Sequence, residues 1–387
     1  MTWKRVLDVN DRTLRNIVTG LGGKINGLPR ETGFDITAAS EIMAILGLAT
    51  DVQDLRMRLG RTLVGYDRHR QPVTAEAIGA AGSAAVLLKD ALSPNLLQTL
   101  EGTPAVVHTG PFANIAHGNS SIVGDYVGIR SGDYLITEAG FGADIGAEKF
   151  FNIKCRIGGL TPSAVVIVAT EKAIEYHGGF KDDGGSGNLL KHIENMRTFG
   201  LEPVVAVNRF PDDTVDGLAR ILDFCERHGV RAAPYEGFAR GVEGAVELAG
   251  LVDDACAVNE SAGSFRLLYP DSASIREKID TVARLIYGAD GVDYDHAAEV
   301  SIDLIEEHGQ GGVPVCMAKT QKSLSDSGKL RGRPKGFRIR VNEVVLAAGA
   351  GFVVAMCGKI MTMPGLPREP VAVRIKVDDQ GRVTGLS

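Results

Sequence analysis

The sequence predicts an α/β protein built on a parallel sheet. Three observations lead there. Short apolar runs, each closed by a turn, recur between residues 104 and 250, at 105–108, 134–137, 164–170 and 203–208, with 230–234 as a shorter fifth. Amphipathic stretches such as NLLKHIENMRTFG and VDGLARILDFCERHG lie between them. Strands alternating with helices at this pitch build βαβ units, and such sheets hold ligands beyond the carboxyl ends of their strands. Glycine is abundant, 48 of 387 residues against a usual ~7%. It sits in loops between apolar runs, which suits tight βα turns and backbone that approaches a ligand.

Taken in order, residues 1–103 read as a mostly helical accessory domain. DRTLRNIVTGL and ITAASEIMAILGLA place apolar residues at helical spacing, and Asp35 is placed to cap the second. One hairpin interrupts, with two strand-like runs around a polar turn in TLVGYDRHRQPVTAEAI. Residues 104–250 form the parallel-sheet core. Residues 251–387 mix a helix, SIREKIDTVARLIYG, with later strands in FRIRVNEVVLAA and FVVAMCG, which predicts an α+β domain. Gly-Ala-Gly at 349–351 marks a tight turn or bulge. There is no internal repeat.

Composition narrows the function. The formal net charge is −6 and the pI is near 5.8, with no polybasic run, so neither nucleic acid nor an anionic membrane surface is an expected partner. The five cysteines are widely spaced and form no CxxC pair. No metal site or redox dithiol is expected, and a reducing cytoplasm suits them. The N-terminus is charged from Lys4 onward and lacks the apolar stretch of a signal peptide. No apolar run approaches the ~20 residues that span a bilayer.

Several loops are too long and idiosyncratic to be generic. They are GLGGKINGLPRETGFDIT at 20–37, LEGTPAVVHTGPFANIAHGNSS at 100–121, TEAGFGADIGAEKFFNIKCR at 137–156, VNRFPDD at 207–213, PVCMAKTQKSLSD at 314–326 and IMTMPGLP at 360–367. In this order they resemble formate–tetrahydrofolate ligase, from about Thr2 to Ser387. The resemblance implies ATP-dependent ligation of formate to tetrahydrofolate through a formyl-phosphate intermediate, giving 10-formyltetrahydrofolate for one-carbon metabolism. It also implies an incomplete P-loop NTPase-like sheet core, Mg-ATP and tetrahydrofolate as co-substrates, a monovalent cation, and a homo-oligomer. The family's opening segment, with a GEGK[ST] P-loop and a GGAAGGGY loop, is absent. The nearest look-alike, Gly23-Lys24, has Val18 where the P-loop needs glycine and Ile25 where it needs Ser or Thr. Two smaller departures are Lys172, where the family motif carries Arg, and the shortened loop FKDDGGSG after Gly179.

The resemblance implies that Phe141, Phe210 and Phe238 line a pterin pocket, where aromatic faces select a flat heterocycle; read alone, each is core packing. It also implies that Asn208 and Pro211 contact a nucleotide base, although Asn and Pro equally suit a strand-end turn. No catalytic residue is fixed. Glu138, Asp144 and His108 are the candidates. The cluster Glu138, Asp144 and Glu148 suits orienting an amine or holding a monovalent cation, or else capping a helix. Gly140, Gly142 and Gly146 faintly echo a phosphate loop. His108 and His117 suit proton transfer or, more simply, loop-ordering hydrogen bonds. Lys319, Lys322, Arg331, Arg333 and Lys335 read first as a solvated surface, and second as a contact for an anionic substrate tail.

The expectation is therefore a chain that supplies the folate side of the ligase and does not turn over alone, with the phosphate site coming from a separate P-loop polypeptide. The alternatives are a non-catalytic folate-binding or regulatory remnant, and a truncated gene model. A missing portion of the sheet would leave apolar surface exposed.

Overall fold

The computed structural model describes residues 2–180, 185–358 and 360–386. The fold is mixed α/β, with small parallel and antiparallel sheets among many helices. Part of the FKDDGGSG loop, 181–184, lies outside the described residues.

The first hundred residues hold more strand than their periodicity predicts. DRTLRNIVTGL closes one 3-10 turn, Arg12–Arg15, because the Asp11 carboxylate captures the Thr13 amide. The β-branched Ile17 and Thr19, with Val18 between them, then run extended and pair antiparallel with Arg30–Thr32. Asp35 does not cap a helix. It lies in the two-residue strand Phe34–Asp35, paired with Arg5–Val6. A further 3-10 turn, Thr37–Ala39, delays the helix Glu41–Leu48, whose cap is Ser40; its Oγ accepts the Met43 amide. The predicted hairpin is present as Leu63–Tyr66 and Pro72–Thr74.

Two of the runs expected in the parallel sheet are not there. Pro104–Val107 pairs antiparallel with Asn95–Gln98. Only residues 99–103 separate these strands, which is too short for a parallel crossover and enough for a hairpin. Residues 134–137 form no strand, and Tyr134 and Ile136 are exposed.

The other three runs do form a parallel sheet, in the spatial order Arg231–Tyr235, Val204–Asn208, Val166–Ala169. Val204, Val205, Ala206 and Val207 of the central strand are buried, as a strand covered on both faces requires. Helices Gly185–Thr198 and Val215–Arg227 supply Leu189, Ile193, Ile221 and Phe224 to that cover. The strand Val166–Ala169 is an edge, and it leaves Val166 39% and Val168 64% exposed.

A second sheet pairs Val315–Ala318 parallel with Phe352–Met356, which in turn pairs antiparallel with Glu343–Ala347. Gly351 takes φ +85° in the intervening turn, and the Glu41 carboxylate receives the Gly349 amide at 2.7 Å.

Between the sheets runs a buried helix over 143–158 that opens into π turns at Ala143–Ala147 and Phe150–Cys155. It joins two cores. Phe151 packs on Phe199 and Phe265, with ring centroids 4.7 and 5.4 Å apart. Ile153 enters the other cluster, with Ile45, Leu48 and Phe352. No helix among the described residues is long and apolar enough to cross a membrane.

The helix approaches the preceding loop so closely that a Cβ on Gly146 would stand 2.0 Å from the Gly140 carbonyl oxygen. That contact, rather than a phosphate cradle, accounts for glycine at 146. Gly146→Ala should cost about 1–3 kcal/mol, the usual cost of overpacking. Urea unfolding measures it, and an unchanged midpoint would mean the loop is free to retreat.

Candidate functional site

The carboxyl ends of the parallel strands carry the first group of candidates. Asn208 and Tyr235 are register partners that end adjacent strands. Phe210 and Phe238 follow, 41% and 103% exposed, so neither ring is core packing. The chain around Phe210 is held from several sides. Its amide donates to Asp213 at 2.8 Å, and the Arg209 amide donates to the Tyr235 carbonyl at 3.0 Å. Lys172 pairs with Asp212 at 2.7 Å while its ammonium stands 5.4 Å from the centroid of the Phe210 ring. Hydrogen bonding with Lys172 holds the Asp212 carboxyl below its usual range. Glu171 accepts both the amide and the hydroxyl of Thr214, at 2.9 and 2.8 Å, tying the first strand's loop to the second's. Arg209 and Arg240 both reach Glu236. Pro211 is exposed and Asn208 half-buried in this corner.

Phe141 comes from a different element. It does not follow a strand. It sits just ahead of the buried helix, 57% exposed, with φ +65°, a left-handed conformation rare for a bulky side chain. Asp144 does not cap that helix, as its position suggests. Its Oδ2 lies 2.6 Å from the ammonium of Lys319, and both side chains are buried. Lys319 also donates to the carbonyls of Thr320 and Ser323 and stands 4.9 Å from the centroid of the Tyr287 ring. Burial penalises the ionised Asp144, but Lys319 and then His192 outweigh it and keep the carboxyl below its usual value. His192 reaches in from helix Gly185–Thr198, with Nδ1 4.0 Å from Asp144 Oδ1.

The basic stretch is thus not one surface. Lys319 is fully buried, Arg331 stacks on Tyr176 at 4.2 Å, and Arg333 grips Glu194 through two nitrogens at 2.9 and 2.6 Å. Lys322 and Lys335 are exposed.

One turn beyond Asp144, Glu148 accepts from Asn152 at 2.8 Å and its second oxygen has no partner among the described residues. Burial pushes its pKa up to about 7. Lys154 pairs with Asp125 at 2.6 Å, and Lys149 donates to the Ala113 carbonyl. His108 has the loop-ordering role: its ring contacts Ser121 Oγ at 2.5 Å and the Ala91 carbonyl at 2.7 Å. His117 does not. It is completely buried with neither nitrogen partnered among the described residues, and burial, with Lys154 and Lys149 nearby, brings its pKa down to about 3. Glu138 is exposed, and its recorded contact is a backbone carbonyl accepting from Asn119 at 3.3 Å.

A cavity of ≈ 530 Å³ lies elsewhere, beside Leu222, Glu226, Val230 and Glu247. The sequence reading missed His192 and misread Lys319. Lys319 directly follows the buried run Val315–Ala318, and a lysine closing such a run has to find a partner inside.

A family model described as formate–tetrahydrofolate ligase matches residues 1–387. Formate–tetrahydrofolate ligase 2 of Rubrobacter xylanophilus is 50% identical over 411 positions, covering 100% of this chain and 71% of the relative. The formate–tetrahydrofolate ligase of Saccharopolyspora erythraea is 51% identical over 406 positions, with the same coverage. Both stretches exceed 387 residues, so the relatives carry extra residues inside the matched region.

Two measurements test the buried charges. Lys319→Met strands a buried carboxylate and should cost about 3–5 kcal/mol in urea unfolding, with part regained in Asp144→Asn/Lys319→Met; equal stability of native and single variant would show that the pair is not held inside. Glu148 protonates near pH 7 when folded against 4.5 as its ordinary value. Its protonated form therefore favours the fold, and that contribution is full below pH 4.5 and lost as pH rises through 7. Glu148→Gln should remove this decline, so the variant gains on the native protein between about pH 5 and 8.

Proposed function

Because the chain belongs to the formate–tetrahydrofolate ligase family, an ATP-dependent ligase family, we propose that it forms the folate-side part of such an enzyme and needs a phosphate-binding segment from elsewhere to turn over. The observation that carries the folate side is the exposure of the rings of Phe141, Phe210 and Phe238. Rings kept out of the core are available to stack on a flat pterin. Asn208 and Pro211 are proposed to meet the nucleotide base at the same sheet edge.

No Gly-x-x-x-x-Gly-Lys-Ser/Thr occurs in the 387 residues, and transferring a phosphoryl group requires its charge to be neutralised by lysine, arginine or Mg²⁺. A P-loop on a separate polypeptide or segment would complete an NTPase-like sheet, and the bare valines of Val166–Ala169 suit such an addition or a homo-oligomer contact. Mg²⁺ and a monovalent cation enter with the nucleotide side. The division at residues 103 and 250 is proposed as one of function rather than of independent folding, since Ile45 and Phe352 share a core. A reducing cytoplasm is the proposed location, in keeping with five free cysteines.

Calorimetric titration of the chain with tetrahydrofolate and, separately, Mg-ATP tests this. Tetrahydrofolate should bind, and Phe210→Ala should weaken it about 2–10-fold, the worth of one aromatic contact. Ligase turnover by the chain alone would overturn the split. Tetrahydrofolate binding that no added P-loop polypeptide converts to turnover would favour a folate-binding module.

A further inference from the structure

His192 lies beside Phe141 without belonging to the folate-lining set. It is on the inward side of helix Gly185–Thr198, and its side chain keeps 16% exposure. Nδ1 is fully buried and unpartnered among the described residues, so the exposure belongs to the rest of the side chain. Nδ1 faces Asp144 Oδ1 at 4.0 Å, and Asp144 is fixed from its other oxygen by Lys319 at 2.6 Å. The Cε1 edge of the ring, on the same side as Asp144 Oδ1, faces Gly142. A Cβ on that glycine would stand 3.0 Å from Cε1, 3.4 Å from Nε2 and 2.7 Å from Asp144 Oδ1. Gly142 has φ −78°, so its backbone does not demand glycine. What demands it is the Asp144 carboxylate first and the imidazole edge of His192 second.

Resting on the folate-side reading above, we propose that Nε2 of His192 accepts the proton given up by the folate amine when the carbon–nitrogen bond forms. The amine lone pair attacks the formyl carbon of an acyl phosphate. The carbon–oxygen bond to phosphate breaks, phosphate leaves with that electron pair, and the nitrogen's surplus proton passes to Nε2. Asp144 is the positioning residue: a carboxylate beside Nδ1 favours the tautomer protonated there and leaves the Nε2 lone pair outward. Lys319 holds Asp144 in turn. The Asp144–His192 distance is longer than a hydrogen bond, as such contacts often are before substrate tightens them.

The charges around the ring agree with this role. Asp144 faces it from the buried helix, Lys319 from the loop after Val315–Ala318, Lys191 from its own helix and His177 from the end of Glu171–Tyr176. Burial, reinforced by Lys319 and Lys191 and opposed by Asp144, holds the imidazole below its usual pKa. It is therefore neutral, and able to accept, at neutral pH.

The test supplies the acyl phosphate directly, which bypasses ATP. Synthetic formyl phosphate and tetrahydrofolate are mixed with the native chain and formyl transfer is followed, with calorimetric folate binding measured in parallel. The native chain should accelerate transfer. His192→Gln should lose about 10²-fold of that acceleration at unchanged folate affinity. His192→Ala should recover in part on adding imidazole, which a structural role would not allow. Gly142→Ala, by displacing the ring, should behave like His192→Gln. Acceleration by His192→Gln within about twofold of native overturns the proposal, and so does a native chain that binds folate without accelerating transfer. A native chain that binds no folate overturns the folate-side reading itself.

Discussion

The ion pair of Asp144 and Lys319 fixes the relation between the two halves of the core. Asp144 stands at the start of the buried helix, and Lys319 closes the strand Val315–Ala318 of the second sheet. Two charges taken out of water attract strongly only if the remaining donors are also satisfied. Lys319 meets that condition by donating to the carbonyls of Thr320 and Ser323. The geometry is therefore demanding, and it sets the depth of the helix, the path of the loop after the strand, and the place of Phe141 and Gly142 just upstream. His192 enters the same cluster from a third element. An apolar contact of similar area would hold these elements together without fixing their register so closely.

The buried helix has an unusual composition for a core element. Glu148, Lys149, Asn152 and Lys154 are all fully buried within it. Its wider π turns rotate successive side chains differently from a regular α-helix, so charges adjacent in sequence meet different partners. Lys154 finds Asp125, Lys149 finds the Ala113 carbonyl, and Glu148 finds Asn152. Glycines at 140, 142 and 146 make room for this, two of them against backbone or ring atoms that any side chain would strike. So many buried polar side chains in one helix are unusual for a core, where such groups are seldom fully buried unless paired.

Legibility in the sequence followed the range of the forces involved. The three runs that form the parallel sheet were readable because a strand covered on both faces must be continuously apolar, as Val204–Val207 is. The runs at 105–108 and 134–137 looked the same and were not part of it. Hydrophobicity marks burial or β preference but does not choose a partner, and the short connection to Asn95–Gln98 decided the first case. Phe210 and Phe238 follow the strands that end at Asn208 and Tyr235, whereas Phe141, expected just after a strand, has none before it. Lys319 looked like one of five basic residues on a surface. Its partner lies 175 residues away in sequence; the buried run before Lys319 calls for a partner inside but does not say which. His192 was hidden for the same reason, on a helix whose periodicity says only that position 192 lies near the core.

The uncovered strand Val166–Ala169 also bears on how the molecule behaves in company. Its outer backbone groups form a straight row with no neighbouring strand among the described residues, flanked by valines that water does not hydrate well. Contacts made along such a row combine amide pairing with apolar burial. They strengthen with protein concentration and change little with salt. Self-association of this chain should thus respond to dilution and to temperature rather than to ionic strength, in contrast to an assembly driven by its many surface ion pairs.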